Sequence, residues 1–383
     1  MDFDLTSEQR LLKDSIDRWA ADTYGSLDRV EASRAEPLGF SEARWAELAA
    51  LGLLGLPFSE ADGGFGGGPV ETMVVMEAFG RALAPEPYLA SVILGGGALR
   101  LAGDAAQRAR LIPQLADGSL RLAFAHGERQ ARYDLEDVAT AARPEAGGYV
   151  LDGQKSVVLN ADAAGLLVVS ARTAGGRRER AGISLFLVPT DAPGLTLRPY
   201  PTQDGGRAAD VTLRGVRVPS EALLGPADGA LPIIEQVIDG AIAAVSAEAV
   251  GLMEALQDFT VAYLKTRKQF GTAIGGFQAL QHRAVDMLVA LEQARSMELY
   301  ATMMVQAEAA ERGPALSGAK VQINRSARFV GQQAVQLHGG IGMTREYLGA
   351  HLFRRLTLIE MLFGDTAHHL RRVTRGGGLL GAA

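Results

Sequence analysis

Two short stretches combine residue types and spacings suited to holding a phosphorylated ligand. The first is Arg267-Lys268-Gln269-Phe270-Gly271, with Gly275, Gly276, Phe277 and Gln278 close behind. A guanidinium stays charged and bonds an oxyanion through two parallel N–H groups, while neighbouring glycines let backbone N–H groups approach the same oxygens. The second is Gln336-Leu337-His338-Gly339-Gly340-Ile341-Gly342-Met343-Thr344, where three glycines in four residues bring bare backbone to the surface of a turn. Each stretch taken alone also has an ordinary explanation. An arginine complements a helix C-terminus, and a glycine cap ends a helix.

Other chemistries find no residues to carry them. The chain has no cysteine, which removes disulfides, thiolate metal sites, iron–sulfur clusters and a cysteine nucleophile. Its histidines are scattered at His126, His282, His338, His351, His368 and His369 and make no metal set, and neither His-Glu-x-x-His nor Gly-x-Ser-x-Gly occurs. His368 and His369 read as surface residues at a helix end. The run Gly63-Gly64-Phe65-Gly66-Gly67-Gly68-Pro69 lacks the Gly-Lys-Ser/Thr of a phosphate loop and reads as a turn feeding a helix over 69–82. With 38 Lys+Arg against 44 Asp+Glu, the net charge of −6 provides no global field for nucleic acid or an anionic membrane. No long apolar run free of charge suggests a membrane span, and the acidic N-terminus is unlike a signal peptide, so a soluble, cytoplasmic protein is expected.

Three regimes along the 383 residues must position the two motifs. Residues 1–121 read as helices broken by glycine-rich turns, opening at Thr6-Ser7-Glu8-Gln9, and Gly95-Gly96-Gly97 marks close packing or a helix end. Residues 122–228 carry short strand patterns, Leu122–His126, Gly148–Asp152, Ser156–Leu159, Leu166–Ser170, Ile183–Val188, Leu195–Tyr200 and Val211–Val218, which predict an antiparallel sandwich or barrel. No Gly-x-Gly-x-x-Gly follows a strand, so a nicotinamide cofactor has no seat. Residues 229–383 predict four long helices, Leu231–Lys268, Phe277–Arg312, Pro314–Leu337 and one from about Thr344 to Val373, with Met253, Met287, Met297, Met303 and Met304 in the bundle core. The fold class is α+β with segregated elements.

Taken together over essentially the whole chain, these features resemble the acyl-CoA dehydrogenases. The resemblance rests on Leu53-Leu54-Gly55-Leu56-Pro57 with its glycine-rich turn, Asp152-Gly153-Gln154-Lys155, the stretch Arg267 to Gly271, and Gln336 to Gly340. It implies a helical domain, a β-domain and a four-helix bundle, FAD as cofactor, an acyl-CoA substrate oxidised across Cα–Cβ, and electron-transfer flavoprotein as acceptor. By position it assigns Arg267, Phe270 and Gln278 to the FAD pyrophosphate and adenine, and Gln336, Gly339 and Gly340 to the adenosine side.

The remainder departs from the family pattern. Where the family has Thr-Glu-Pro and then Gly-Ser-Asp facing the flavin, this chain has Gly127-Glu128-Arg129 and Arg132-Tyr133-Asp134. Ser156-Val157-Val158-Leu159 brings no aromatic shield for the ring. The family's base glutamate falls on Gly364 in Phe363-Gly364-Asp365-Thr366, and the alternative base position falls on Ala241-Ile242, with Asp239 nearby. The resemblance therefore implies a degenerate subunit paired with a larger homologue as a heterotetramer, or a self-associating enzyme that uses Asp365 as a substitute base, or a flavin-free scaffold.

Overall fold

The computed structural model describes residues 4–375. The chain forms two compact units that do not follow chain order. Of the described residues, one gathers 4–32, 69–84 and 242–375, and the other 33–68 and 85–241. Helical segments occupy both ends of the chain and a sheet occupies its middle.

The helices are α1 (Ser7–Tyr24), α2 (Leu27–Arg34), α3 (Glu42–Ala50), α4 (Pro69–Ala82), α5 (Gly97–Ala102), α6 (Ala105–Ala116), α7 (Leu231–Thr266), α8 (Gln278–Met304), α9 (Ala309–His338), α10 (Leu348–Met361) and α11 (Thr366–Arg375). Thr6 opens α1 as expected, in a capping box in which its hydroxyl accepts from the Gln9 N–H at 3.2 Å and Gln9 returns the bond at 3.0 Å.

In the first unit, α4 and α7 cross backbone to backbone. A Cβ on Gly80 would lie 2.1 Å from the Glu248 carbonyl oxygen, and one on Gly251 would lie 2.0 Å from that of Glu77, so only glycine permits this crossing. Beside it, α1, α4, α7 and α8 share a charge network. Arg81 bridges Asp17, Glu77 and Glu254, and Arg295 reaches Glu77 at 3.2 Å and Glu254 at 3.5 Å. Glu298 sits nearly fully buried with one oxygen unpaired, and burial, then Glu77, push its carboxyl well above the usual range.

Three expectations for the bundle change. The helix predicted to end at Arg312 stops at Met304, and Pro314 lies inside α9 at its sixth residue, where its missing N–H costs the bond to the Ala310 carbonyl. The last predicted helix is two, α10 and α11, parted by a turn in which Phe363 has φ +60 and Gly364 φ +124. Met253 and Met287 are core residues, but Met303 is 40 % exposed. The end of the predicted bundle at 383 lies outside the described residues.

The second unit is built on an eight-stranded sheet: β1 (Leu122–Ala125), β2 (Ala141–Glu145), β3 (Gly148–Leu159), β4 (Leu166–Arg172), β5 (Ile183–Pro189), β6 (Leu195–Pro201), β7 (Arg207–Pro219) and β8 (Leu223–Leu224). Its order is β6-β7-β3-β2-β4-β5-β8, with β1 beside β4. The pairing is mainly antiparallel, but β1 and β2 both run parallel to β4. The sequence missed β2, whose Ala-Ala-Arg-Pro-Glu has little strand propensity and is held by its hairpin with β3. It also split β3, whose register shifts between Lys155 and Val158, where Val157 has φ +55. Leu151, Leu167, Val169, Phe186 and Val211 fill the core under the sheet.

The glycine-rich turn before α4 uses its own N–H groups. Gly64 bonds Ser59, Gly66 bonds Phe58 and Gly67 bonds Leu56, which leaves none of the three for a phosphate, as the turn reading expects. Gly95 and Gly96 mark close packing, because an added Cβ would lie 2.4 Å from Leu122 and 2.7 Å from Phe58.

Candidate functional site

The two motifs sit at the C-terminal ends of α7 and α9. After α7 the chain makes a two-residue hairpin turn, with Thr272 paired to Gln269 and Ala273 to Lys268. Phe270 and Gly271 form its tip with φ +53 and +80, the positive pair a tight primed turn requires. A phenylalanine in that region is backbone strain, and its ring is 91 % exposed, 6.2 Å edge-on from Phe277. Arg267, Gln278 and Gln336 are exposed, and among the described residues the guanidinium of Arg267 makes no hydrogen bond or ion pair. The Ile274 N–H bonds the Arg267 carbonyl at 2.8 Å, so the loop that returns toward α8 is tied to the arginine's backbone.

At the end of α9, Gly339 takes φ +67 and ψ −147, and its N–H caps the carbonyls of Val335 and Gln336. A Cβ on Gly271, Gly339 or Gly340 would meet nothing within 4 Å, so these glycines line open space.

Sequence reasoning passed over the residues that join the two ends. Phe259, Tyr263 and Tyr347 surround His338. The ring centroids lie 5.4, 4.6 and 5.1 Å from the imidazole, and the Tyr263 hydroxyl donates to the His338 carbonyl at 3.4 Å. His338 is buried, its Nδ1 bonds the Ala334 carbonyl at 2.8 Å, and burial holds its pKa below the ordinary value. The available signal was the four-residue step Phe259, Tyr263, Arg267, which puts both rings and the arginine on one face of α7.

The Gly364 turn is built differently. Gly364 is buried, and a Cβ there would lie 2.5 Å from His369 Nε2 and 2.7 Å from His368 Cδ2. His369 is fully buried, which corrects the surface reading of that residue. Its Nδ1 lies 3.2 Å from the Ser317 hydroxyl, and burial and then Lys320 hold its pKa down to about 2, so the ring is neutral. A hydrophobic stripe does not reveal such a residue, because a neutral imidazole packs like a small aromatic. Lys320 is also fully buried, bonding the Ile359 carbonyl at 2.6 Å, and burial draws its pKa down to about 7 against the pull of Glu360 and Glu248. Asp365 accepts the His368 N–H at 2.7 Å, so its carboxylate caps the start of α11. Ala241 and Ile242, at the alternative base position, are fully buried and apolar, and Asp239 is buried.

On the sheet, the stretch that replaces the family's flavin-facing motif holds a buried charge cluster. Lys155 Nζ lies 2.6 Å from Glu128 and 3.0 Å from Ser170, and His126 Nδ1 lies 2.9 Å from the same Ser170 hydroxyl. Burial works to raise the Glu128 carboxyl, but Lys155 and hydrogen bonds from Gln130 and Thr140 overcome it and hold the group at about 2. Burial brings Lys155 to about 8 despite Glu128, and burial with Lys155 brings His126 to about 3. Glu128 also accepts the N–H groups of Ala139 and Thr140, so the cluster ties the strands together around a buried ion pair.

A free guanidinium, two free carboxamides, an exposed ring and bare glycines are the donor set that a dinucleotide diphosphate and its adenosine require, so these residues fit FAD. Comparison with known proteins identifies the family. Residues 6–119, 123–215 and 231–378 match the N-terminal, middle and C-terminal domains of acyl-CoA dehydrogenase. The chain is 31 % identical over 386 residues to the probable acyl-CoA dehydrogenase YngJ of Bacillus subtilis, covering 99 % of this chain and 100 % of that one. Among solved structures, a variant of the steroid ACAD Tcur3481-Tcur3483 is similar at 31 % identity and TM-score 0.85, over 96 % of this chain and 97 % of that one. The ChsE4-ChsE5 complex from Mycobacterium tuberculosis is similar at 25 % identity and TM-score 0.85, over 98 % of each chain. The chain belongs to the acyl-CoA dehydrogenase family. It is accordingly a flavoprotein of the oxidoreductase class, with FAD as cofactor.

Proposed function

We propose that this chain is the small, catalytically degenerate subunit of a heteromeric acyl-CoA dehydrogenase, most like the small subunit of pimeloyl-CoA dehydrogenase. It pairs with a larger homologue as a heterotetramer, and the electrons pass to electron-transfer flavoprotein. The substrate is a medium-chain or dicarboxylic acyl-CoA such as pimeloyl-CoA. The three-part division at about 121 and 228 belongs to the same reading.

The observation that carries the proposal is the Gly364 turn. Removing the α-proton of a thioester takes a positioned carboxylate, worth roughly 10²- to 10⁴-fold in rate. At the family's base position this chain has a glycine whose side-chain space His369 fills. Asp365, one residue on, holds a helix N-terminus. FAD, when bound, supplies the hydride acceptor for Cβ. The contribution of this chain would be to anchor it: Arg267 would hold the diphosphate, Gln278, Gln336 and Phe270 would hold the adenosine side, and Gly339 and Gly340 would admit it to the backbone. The partner supplies the ring site and the base. The similarity to a complex of two named chains, ChsE4 and ChsE5, supports a two-chain enzyme. The similarity to a steroid ACAD favours a second substrate reading, a bulky polycyclic acyl thioester.

Arg267→Ala tests the anchoring role. In the purified complex the change removes a charge-assisted bond worth about 1.5–3 kcal/mol, so FAD affinity falls roughly ten- to hundredfold. Arg267→Lys recovers only part of that, because an ammonium keeps the charge and loses the fork. The measurement is the flavin-to-protein ratio at dilute FAD, with melting temperature as control. Unchanged flavin content leaves the chain as a scaffold.

A further inference from the structure

The FAD contacts lie at the ends of two different helices, and an arginine at one end can act with a glycine turn at the other only if the two ends keep their register. Tyr263 touches both. Its carbonyl accepts the Arg267 N–H at 2.8 Å and closes the last turn of α7. Its hydroxyl holds the carbonyl of His338, the residue immediately before Gly339. The imidazole of His338 is fixed in turn by its own Ala334 bond and by the rings of Phe259, Tyr263 and Tyr347, and Phe259 packs on Tyr347 at 4.9 Å. His338 is thus buried and held on three sides, and the carbonyl it presents to Tyr263 is held with it.

We propose that Tyr263 and His338 are positioning residues for FAD, locking the Arg267 end of α7 to the Gly339–Gly340 turn so that guanidinium and backbone meet one cofactor together. Neither side chain contacts FAD. This inference rests on the anchoring role proposed above.

A residue that acts through Arg267 loses its effect when Arg267 is gone, whereas a residue that merely stabilises the fold does not. The test is a double-mutant cycle on the protein as purified with its partner, stripped of flavin and retitrated with FAD. Tyr263→Leu is expected to weaken FAD binding about tenfold, and Tyr263→Phe, which keeps the ring, to stay within about threefold of the parent. In the Arg267→Ala background, Tyr263→Leu should weaken binding by no more than about twofold. Equal losses in both backgrounds overturn the inference, as does normal FAD affinity in Tyr263→Leu beside a loss in Arg267→Ala. Normal affinity in Arg267→Ala itself sinks the anchoring role first, which separates the two failures. Where Tyr263→Leu gives no folded protein, the same cycle is read with His338→Leu.

Discussion

The ends of α7 and α9 and the turn between α10 and α11 belong to one helical unit, yet they treat their polar groups in opposite ways. At the first, Arg267, Gln278 and Gln336 are exposed without side-chain partners among the described residues, and the glycines face open space. At the second, Lys320 and Asp365 bond backbone groups within the unit, the buried His369 sets its Nδ1 beside Ser317, and Gly364 has no room for a side chain. Polar groups left unpaired in water cost little and can be completed by another molecule. A space already filled by a buried imidazole cannot be completed without repacking. On the proposed reading, a base lost here is more than one missing carboxylate, and a glutamate added at 364 alone is not expected to restore it.

The largest effect expected concerns turnover. Without a partner the purified chain should show negligible acyl-CoA oxidation with an artificial electron acceptor. Turnover on the usual scale of about 1–10³ s⁻¹ would erase the contrast between the two regions. Next is the packing of the Gly364 turn. Gly364→Ala combines a left-handed φ with a clash against His369, and should cost about 2–4 kcal/mol in denaturant unfolding. A near-neutral result would mean that the turn has room for a base after all.

A smaller effect separates capping from catalysis at Asp365. Asparagine is an equally good cap, so Asp365→Asn should keep stability and leave the assembled enzyme within about threefold of the parent rate. A large loss of rate would favour a self-sufficient enzyme with Asp365 as its base.

The smallest effect lies in the charge network at the α4–α7 crossing. Burial raises the Glu298 carboxyl in the folded state, so the native protein holds more protons than the unfolded chain above the usual carboxylate pKa. Stability is then fully present at low pH and declines as pH rises through the folded pKa. Glu298→Gln is neutral at every pH, so its melting temperature relative to the parent should climb from pH 5.5 to 8.5. A constant difference would show that Glu298 is ionised and paired throughout.

How far the sequence could be read depended on whether a feature was local. The α4 helix and the Thr6 capping box were legible because caps, prolines and 3.6-residue periodicity are properties of neighbouring residues. β2 was not, since Ala141–Glu145 becomes a strand only through its partner β3. The break at Phe363–Gly364 was hidden inside a helical pattern that runs through it. The motifs at 267–278 and 336–340 stood out as clusters of glycine and polar residues, whereas His369 looked like a surface residue because burial is not written in residue type.

The residue types by themselves determined the excluded chemistries, the helix-sheet-helix order, and the absence of a carboxylate at position 364, because composition and local spacing are complete in one dimension. Only the tertiary structure decided that the space beside Gly364 is filled by an imidazole five residues on, that Asp365 is committed to a helix end, and that the Tyr263 hydroxyl donates to the His338 carbonyl across 75 positions of chain. Those outcomes depend on which segments come to lie against each other, and packing between distant segments is set by the whole fold.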